Sequence, residues 1–361
     1  MSGTSAMAPV VDVVIDNYNY ATFLEEAIES ARLQTHPAVN VIVVDDGSDD
    51  GSRAILDAQP EEVTVVLKEN GGQASALNTG MEHSRGDVVI FLDADDRLHP
   101  QAAARVAATF AADPALAKVQ CRMDTIDASG NRLVEVKPPP HLTLPEGDMR
   151  QAELAYPFDL TWMAMSANAF RAESLRRILP IPEAEYRICA DWYLVHLTAL
   201  LGPVASLEQI GASYRIHGAN SYERQAAAID LDHIRQTIGL AEATVRELER
   251  LADEIALARP RNVLSLWILA LRLLSLRIEP AAHPVAGDSA VGILRDAIRA
   301  ARRRSDATAA KKLLFLGWFA ATATCPRRLV PRLGELFLFP ERRSSLNRLL
   351  GRLQRRAAAT I

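Results

Sequence analysis

Apolar residues in the first third of the chain fall into short, nearly continuous runs, separated by stretches whose apolar positions have helical spacing. Residues 10–15, 39–44, 63–67 and 87–92 are aliphatic runs of strand length. Between the first two, Leu24, Ala27, Ile28 and Ala31 recur at i, i+3, i+4 and i+7, and Thr22 and Glu25 have the spacing of a capping box. Residues 73–84, entered through Gly71-Gly72, and 100–112 predict two further helices. Strands that are continuously apolar rather than alternating are covered on both faces, so this βαβαβ order predicts a doubly wound, parallel α/β sheet. A loop-rich stretch opens at Pro138-Pro139-Pro140 and runs to about Phe158, and residues 183–221 mix helix with short strand. Beyond Tyr222 the pattern is helical, over 225–258, 263–278, 291–304 and shorter pieces.

The bulk numbers add a polarity to this picture. The 361-residue chain has a net charge of −5, yet residues 259–361 hold 20 Lys and Arg against 6 Asp and Glu, leaving the remainder strongly acidic. An acidic catalytic part and a basic tail that meets something anionic are expected. The three cysteines, Cys121, Cys189 and Cys325, are far apart and form no CxxC, which points to a reducing cytosol rather than a zinc site or disulfide framework. The N-terminus lacks a basic segment followed by an apolar core, and no apolar run approaches the ~18 residues of a membrane span. Residues 263–276 and 313–325 come nearest and read as buried or interfacial helices.

The chemistry lies where the strands end. Ligands of open α/β sheets bind at the carboxyl ends of the strands, and here those ends are Asp16-Asn17-Tyr18-Asn19, Asp45-Asp46 and Asp93-Ala94-Asp95-Asp96. Crowded carboxylates repel one another unless a cation or hydrogen-bond donors offset them. A hard divalent ion, held by one or two carboxylates and by substrate phosphates, would do so. For any single pair, helix caps and solvated turns are the plainer explanation.

Several ordered motifs carry a resemblance. Val41-Ile42-Val43-Val44-Asp45-Asp46-Gly47-Ser48, Asn70-Gly71-Gly72-Gln73-Ala74, Gly86-Asp87, Phe91-Leu92-Asp93-Ala94-Asp95-Asp96, Ala190-Asp191-Trp192-Tyr193-Leu194 and Tyr214-Arg215-Ile216-His217-Gly218-Ala219-Asn220-Ser221 closely resemble the family 2 glycosyltransferases, over roughly residues 10–222. The resemblance implies an inverting enzyme with a GT-A-type doubly wound, mixed but mostly parallel sheet flanked by helices. It implies a catalytic domain over 1–224, with a nucleotide-binding half (10–125) and an acceptor-side half (126–224), before a basic helical region at 225–361. It also implies site roles. Asp46 reads the nucleobase, with Asp16, Asn17 and Tyr18 on the other side of that pocket; Asp93 lies near the ribose, and Lys68, Gly72 and Ala94 on the nucleotide-donor side. Asp95 coordinates Mn2+ or Mg2+ bridging the diphosphate, and His217 is a further ligand or phosphate contact.

In an inverting transfer the leaving nucleoside diphosphate gains charge, which a metal stabilises, and the acceptor hydroxyl must lose a proton. Asp191 is the expected base, against the plainer role of a helix N-terminal Asp. Trp162 and Trp192 are candidates for an acceptor-side sugar platform, against ordinary core packing. The chain departs from the family pattern at Asp16, where Pro is usual, and at Ala190, where many relatives have Glu.

The expected partners are a nucleotide-sugar donor, UDP-sugars being commonest in the family, and a glycan or lipid-linked acceptor, in cell-envelope or exopolysaccharide synthesis. In the tail, arginines and lysines interleave with Trp267, Leu271 and Leu274, with Leu313, Leu316 and Phe319, and with Leu349, Leu350 and Leu353. This suits an anionic membrane surface, a packed bundle or a homo-oligomer, and a cytoplasmic enzyme peripheral on the inner membrane face. No motif or aromatic interleaving supports nucleic acid. Two alternatives are a nucleotidyltransferase, which would show a Gly-rich basic loop after the first strand, and a sugar-nucleotide-binding or scaffolding relative without turnover. A receiver domain and a haloacid-type phosphatase fit poorly. The receiver's acidic pair follows its first strand, and the phosphatase needs Gly and Thr/Ser where Asp96-Arg97 stands.

Overall fold

The computed structural model describes residues 8–218, 220, 229–259, 265–304 and 308–339. Strands are β1 (Val11–Asn17), β2 (Val39–Asp45), β3 (Val63–Leu67), β4 (Val88–Asp93), β5 (Arg97–Leu98), β6 (Lys118–Asp127), β7 (Arg132–Lys137), β8 (Asn168–Arg171) and β9 (Val204–Ile216). Helices are α1 (Ala21–Arg32), α2 (Ser52–Asp57), α3 (Gln73–His83), α4 (Ala102–Ala112), α5 (Arg150–Ala155), α6 (Ala172–Ile178), α7 (Ala190–Leu201), α8 (Leu231–Glu254), α9 (Leu266–Ile278), α10 (Ala290–Arg303), α11 (Ala309–Thr324) and α12 (Val330–Leu338).

Among the described residues one sheet runs β3-β2-β1-β4-β8-β6-β9-β5, with β7 paired to β6. Strands β1 to β4 are mutually parallel, β8 is antiparallel to both β4 and β6, and β9 is parallel to β6. The sheet is therefore mixed and mostly parallel, the GT-A-type arrangement expected. Val11, Val13, Ile15, Val43, Ile90 and Leu92 turn to one buried layer, where Leu24, Ile28 and Phe110 of the flanking helices meet them. Each residue of β1 from Val11 to Ile15 is fully buried, as a strand covered on both faces must be.

Three sequence expectations change. Thr22 and Glu25 do not cap α1: its N-cap is Tyr20, with no side-chain cap bond. The loop-rich stretch after Pro138 contains α5, short but closed by a backbone bond from Tyr156 to Ala152. The short strand expected in 183–221 is the 13-residue β9, whose pairing with β6 carries two register shifts.

The chain divides into two compact units, residues 1–223 with 242–263, and residues 224–241 with 264–361. The first holds the sheet. In the second, Leu269, Leu273, Ile293, Ala297 and Phe319 build a small core. Ser265, Ser289 and Thr308 cap α9, α10 and α11, each accepting a backbone N–H three residues on. Arg272 and His283 both bind Asp288 there. No described helix is long and apolar enough to cross a membrane. The Leu349, Leu350 and Leu353 segment, residues 221–228 and residues 263–264 lie outside the described residues.

Candidate active site

Parallel pairing of β1 with β2 and β4 brings the three acidic strand ends level, Asp16 opposite Asp93 and Asn17 opposite Asp45. These ends divide into carboxylates that tie loops together and carboxylates that face one another. Asp45 belongs to the first kind, accepting from Asn17 Nδ2 (2.7 Å) and Ser48 Oγ (2.6 Å). Asp46 holds the loop after β3: it accepts from the Gly71 and Gly72 amides at 2.9 and 2.7 Å and from Lys68 Nζ at 2.6 Å. Gly72 is required at the turn into α3, since its φ is +88° and a Cβ would collide with Arg187. Tyr18, half exposed on the loop after β1, is open to a ligand, whereas Ala94 buries its methyl and leaves only its backbone for contact.

The facing carboxylates form the centre. Asp93, Asp95 and Asp96 each place an oxygen within 4.8 Å of the others. Among the described residues, Asp16 Oδ1 and Asp96 Oδ2 are buried without a hydrogen-bond partner. Burial lifts Asp16 to about 7, against a bond from Gln73, with the charge of Asp95 adding to the rise. Burial also raises Asp93 well above the carboxylate range, helped by Asp16, Asp96, Asp95 and Asp191. Asp96 is raised by burial and by Asp95. An all-oxygen set of carboxylates that cannot all hold charge unaided fits a hard divalent cation such as Mg2+ or Mn2+.

His217 stands beside this centre, its Nε2 2.9 Å from Asp95 Oδ2. The rings of Phe23 and Tyr20 pack on its imidazole at 5.0 and 5.7 Å. Its backbone N–H is fixed by Asn220 Oδ1, while Asn220 Nδ2 donates to the Arg215 carbonyl, so Asn220 ties back onto the end of β9.

Asp191 enters from the start of α7, after Cys189 in a left-handed conformation. Its Oδ1 accepts from the Trp192 amide at 3.0 Å. Burial raises its carboxyl to about 6, against that amide and the charge of His196. Trp192 packs on Phe158 at 5.0 Å between ring centroids, whereas Trp162 lies elsewhere in the same region, its Nε1 donating to Glu153 at 2.8 Å.

Two residues without an assigned role in the sequence organise the site. Gln73 donates from Nε2 to Asp93 Oδ1 (3.0 Å) and accepts on Oε1 the Ala190 amide (3.0 Å), joining the β4 acids to the helix of Asp191. Arg215, almost wholly buried, donates its backbone N–H to Asp96, its Nε to the Asp95 carbonyl and an Nη to Glu26. The available signal was the same for both: Arg215 lies inside the Tyr214-to-Ser221 motif and Gln73 inside Asn70-to-Ala74.

Comparison with known proteins agrees with this geometry. Residues 12–179 match the family model "Glycosyl transferase family 2". An uncharacterized glycosyltransferase of Nostoc sp. is 32% identical over 239 residues, covering 64% of this chain and 72% of that protein. TuaG of Bacillus subtilis, named for teichuronic acid biosynthesis, is 40% identical over 94 residues, 25% of this chain and 37% of that one. Residues 1–349 of S. aureus TarS superpose with a TM-score of 0.53 at 16% identity, over 91% of both chains. The same fragment in complex with UDP-GlcNAc gives 0.50 at 14% identity, again over 91% of each. A mixed sheet with acids grouped at its strand ends, a matching family model and a relative of this coverage lead to one conclusion: the chain belongs to the family 2 glycosyltransferases.

Proposed function

We propose that this chain transfers a sugar, with inversion, from a nucleotide-diphosphate donor to an acceptor hydroxyl. The observation that carries the reading is the meeting of Asp93, Asp95 and Asp96 with Asp191 across the Gln73 bridge. The nucleotide lies over the ends of β1 and β2, between exposed Tyr18 and the Asp46 loop, with Asp16, Asn17, Lys68, Gly72 and the Ala94 backbone shaping that side and Asp93 at the ribose. Asp95 would hold Mn2+ or Mg2+ with His217, and the bound ion would supply charge stabilisation to the departing diphosphate. Gln73 keeps Asp93 and Asp191 at fixed separation, Arg215 fixes the backbone of Asp95 and Asp96, and Asp191 takes the acceptor proton as the new bond forms. A base near 6 is ionised at neutral pH yet basic enough to accept that proton.

UDP is the proposed nucleotide and cell-envelope or exopolysaccharide glycan the proposed product class, supported by the TarS complex with UDP-GlcNAc and the name of TuaG. Residues 1–224 are taken as the catalytic domain, with Trp162 and Trp192 on the acceptor side of its second half. The helical region from 225 is taken as a peripheral contact with anionic lipid on the cytoplasmic face: Leu313 and Leu314 are 71% and 54% exposed directly after Lys311 and Lys312. A thermal-shift screen of UDP- and GDP-sugars with Mn2+ and Mg2+ tests the donor; no stabilisation by any pair excludes a metal-bound nucleotide sugar. Flotation with phosphatidylserine vesicles tests the tail; no binding at low salt removes the membrane contact.

A further inference from the structure

Behind Asp191 lies a buried polar knot that the proposed reaction does not use. Glu153 of α5 is wholly buried, as is Lys118 at the start of β6. One oxygen of Glu153 accepts from Trp162 Nε1 at 2.8 Å and the other meets His196 Nδ1 at 2.6 Å. Lys118 Nζ stands 3.8 Å over the Trp162 ring, with no hydrogen-bond partner among the described residues. A carboxylate is rarely buried unless paired, and here two N–H donors serve one group, with the Lys118 amine close by, its pKa pushed well down by burial against the charge of Glu153. The knot reaches toward the site through His196, whose ring meets Phe158 edge to face at 4.6 Å. Phe158 in turn packs on Trp192, the residue after Asp191. Phe158 also holds φ at +69°, a strained conformation for an aromatic residue that surrounding contacts must maintain.

Rings of this kind suit the C–H face of a pyranose, and Trp192 is partly open to solvent. We propose that Glu153 is the positioning residue of the acceptor side, clamping Trp162 and His196, and through His196 the Phe158–Trp192 wall that holds an acceptor pyranose against Asp191. This rests on the glycosyl-transfer reading above. Glu153 touches neither the β4 acids nor the nucleotide loops in any contact described, so its loss should spare the donor. Glu153→Gln preserves both links, because its carbonyl can accept from Trp162 and its amide can donate to a neutral His196.

The test compares nucleotide release from UDP-GlcNAc and Mn2+ into water with transfer to a panel of octyl glycosides, in wild type, Glu153→Ala and Glu153→Gln. Expected are donor hydrolysis within about twofold in all three, an acceptor KM raised about tenfold or more in Glu153→Ala, and recovery to within about threefold in Glu153→Gln. Equal loss of hydrolysis and transfer in both variants, or an unchanged acceptor KM in Glu153→Ala, overturns the proposal. If Glu153→Ala does not fold, a normal acceptor KM with reduced hydrolysis in Glu153→Gln overturns it as well. Wild type that hydrolyses the donor but glycosylates no pyranoside refutes the pyranose wall alone. Wild type that releases no nucleotide refutes the transfer reading beneath it.

Discussion

Replacing Asp191 by Asn separates two roles that a carboxylate at the start of a helix can have. As a helix N-terminal acid it would stabilise the fold by about 0.3–1 kcal/mol, so Asn would destabilise. As an enclosed base it is held at a cost. Its carboxyl rises from 3.8 to about 6, mainly through burial, which disfavours the ionised folded form by about 3 kcal/mol at neutral pH. That is an upper limit, since the residue keeps partial contact with solvent. The folded chain holds this proton more tightly than the unfolded chain, so the contribution is fully present below pH 3.8 and disappears as pH rises through 6. Asn carries no charge at any pH. The melting temperature of Asp191→Asn should therefore match wild type only below pH 3.8, lead it by the equivalent of about 1 kcal/mol at pH 4.5, and exceed it most at pH 8, by several degrees at ~2–4 °C per kcal/mol. Differential scanning fluorimetry across this range, without divalent metal, reads it directly. Lower stability of Asp191→Asn at pH 8 than at pH 4.5, relative to wild type, would refute the enclosed base and restore the helix-cap role.

Further outcomes follow from the same contacts. Gln73→Ala should fold normally but lose about 10- to 100-fold in kcat, because the Asp93-to-α7 link goes; unchanged kcat by nucleotide release would remove its bridging role. Arg215→Met leaves the Asp95 and Asp127 carbonyls without their buried donor, while part-exposed Glu26 keeps Arg97, and should destabilise by about 1–3 kcal/mol, read as a lower urea midpoint. Saturating Mn2+ should stabilise wild type by about 2.7 kcal/mol at a hundred times Kd, and Asp95→Ala should abolish that gain; equal Mn2+ stabilisation in both would dissociate Asp95 from the ion.

The parts visible in the sequence were those with local causes. The runs forming β1 to β4 are apolar on both faces, and acids at their ends stand out against them. Strand β6 was invisible as a strand because its buried positions include Lys118, Gln120, Arg122 and Asp124. Their partners, Ser206 and Glu208 on β9 and Arg132 on β7, become neighbours only through the sheet. The capping pattern at Thr22 misled because Tyr20 already ends the preceding loop and its carbonyl accepts the first helical amides. The active site divides in the same way. Asp95 and Asp191 sit in recognisable strings, whereas Gln73 acts on a residue 117 positions away and Arg215 on one 189 away. Such pairings carry no periodicity for a sequence to display.

The central claim is a division of labour, with the β4 acids holding the donor and Asp191 accepting the proton. Free nucleoside diphosphate released from a panel of UDP- and GDP-sugars with Mn2+, measured for wild type and Asp191→Asn, tests it most directly. Wild type should release the nucleotide of one donor, and Asp191→Asn should release it about 10²- to 10⁴-fold more slowly while binding that donor equally well. Release by Asp191→Asn at the wild-type rate would contradict the account.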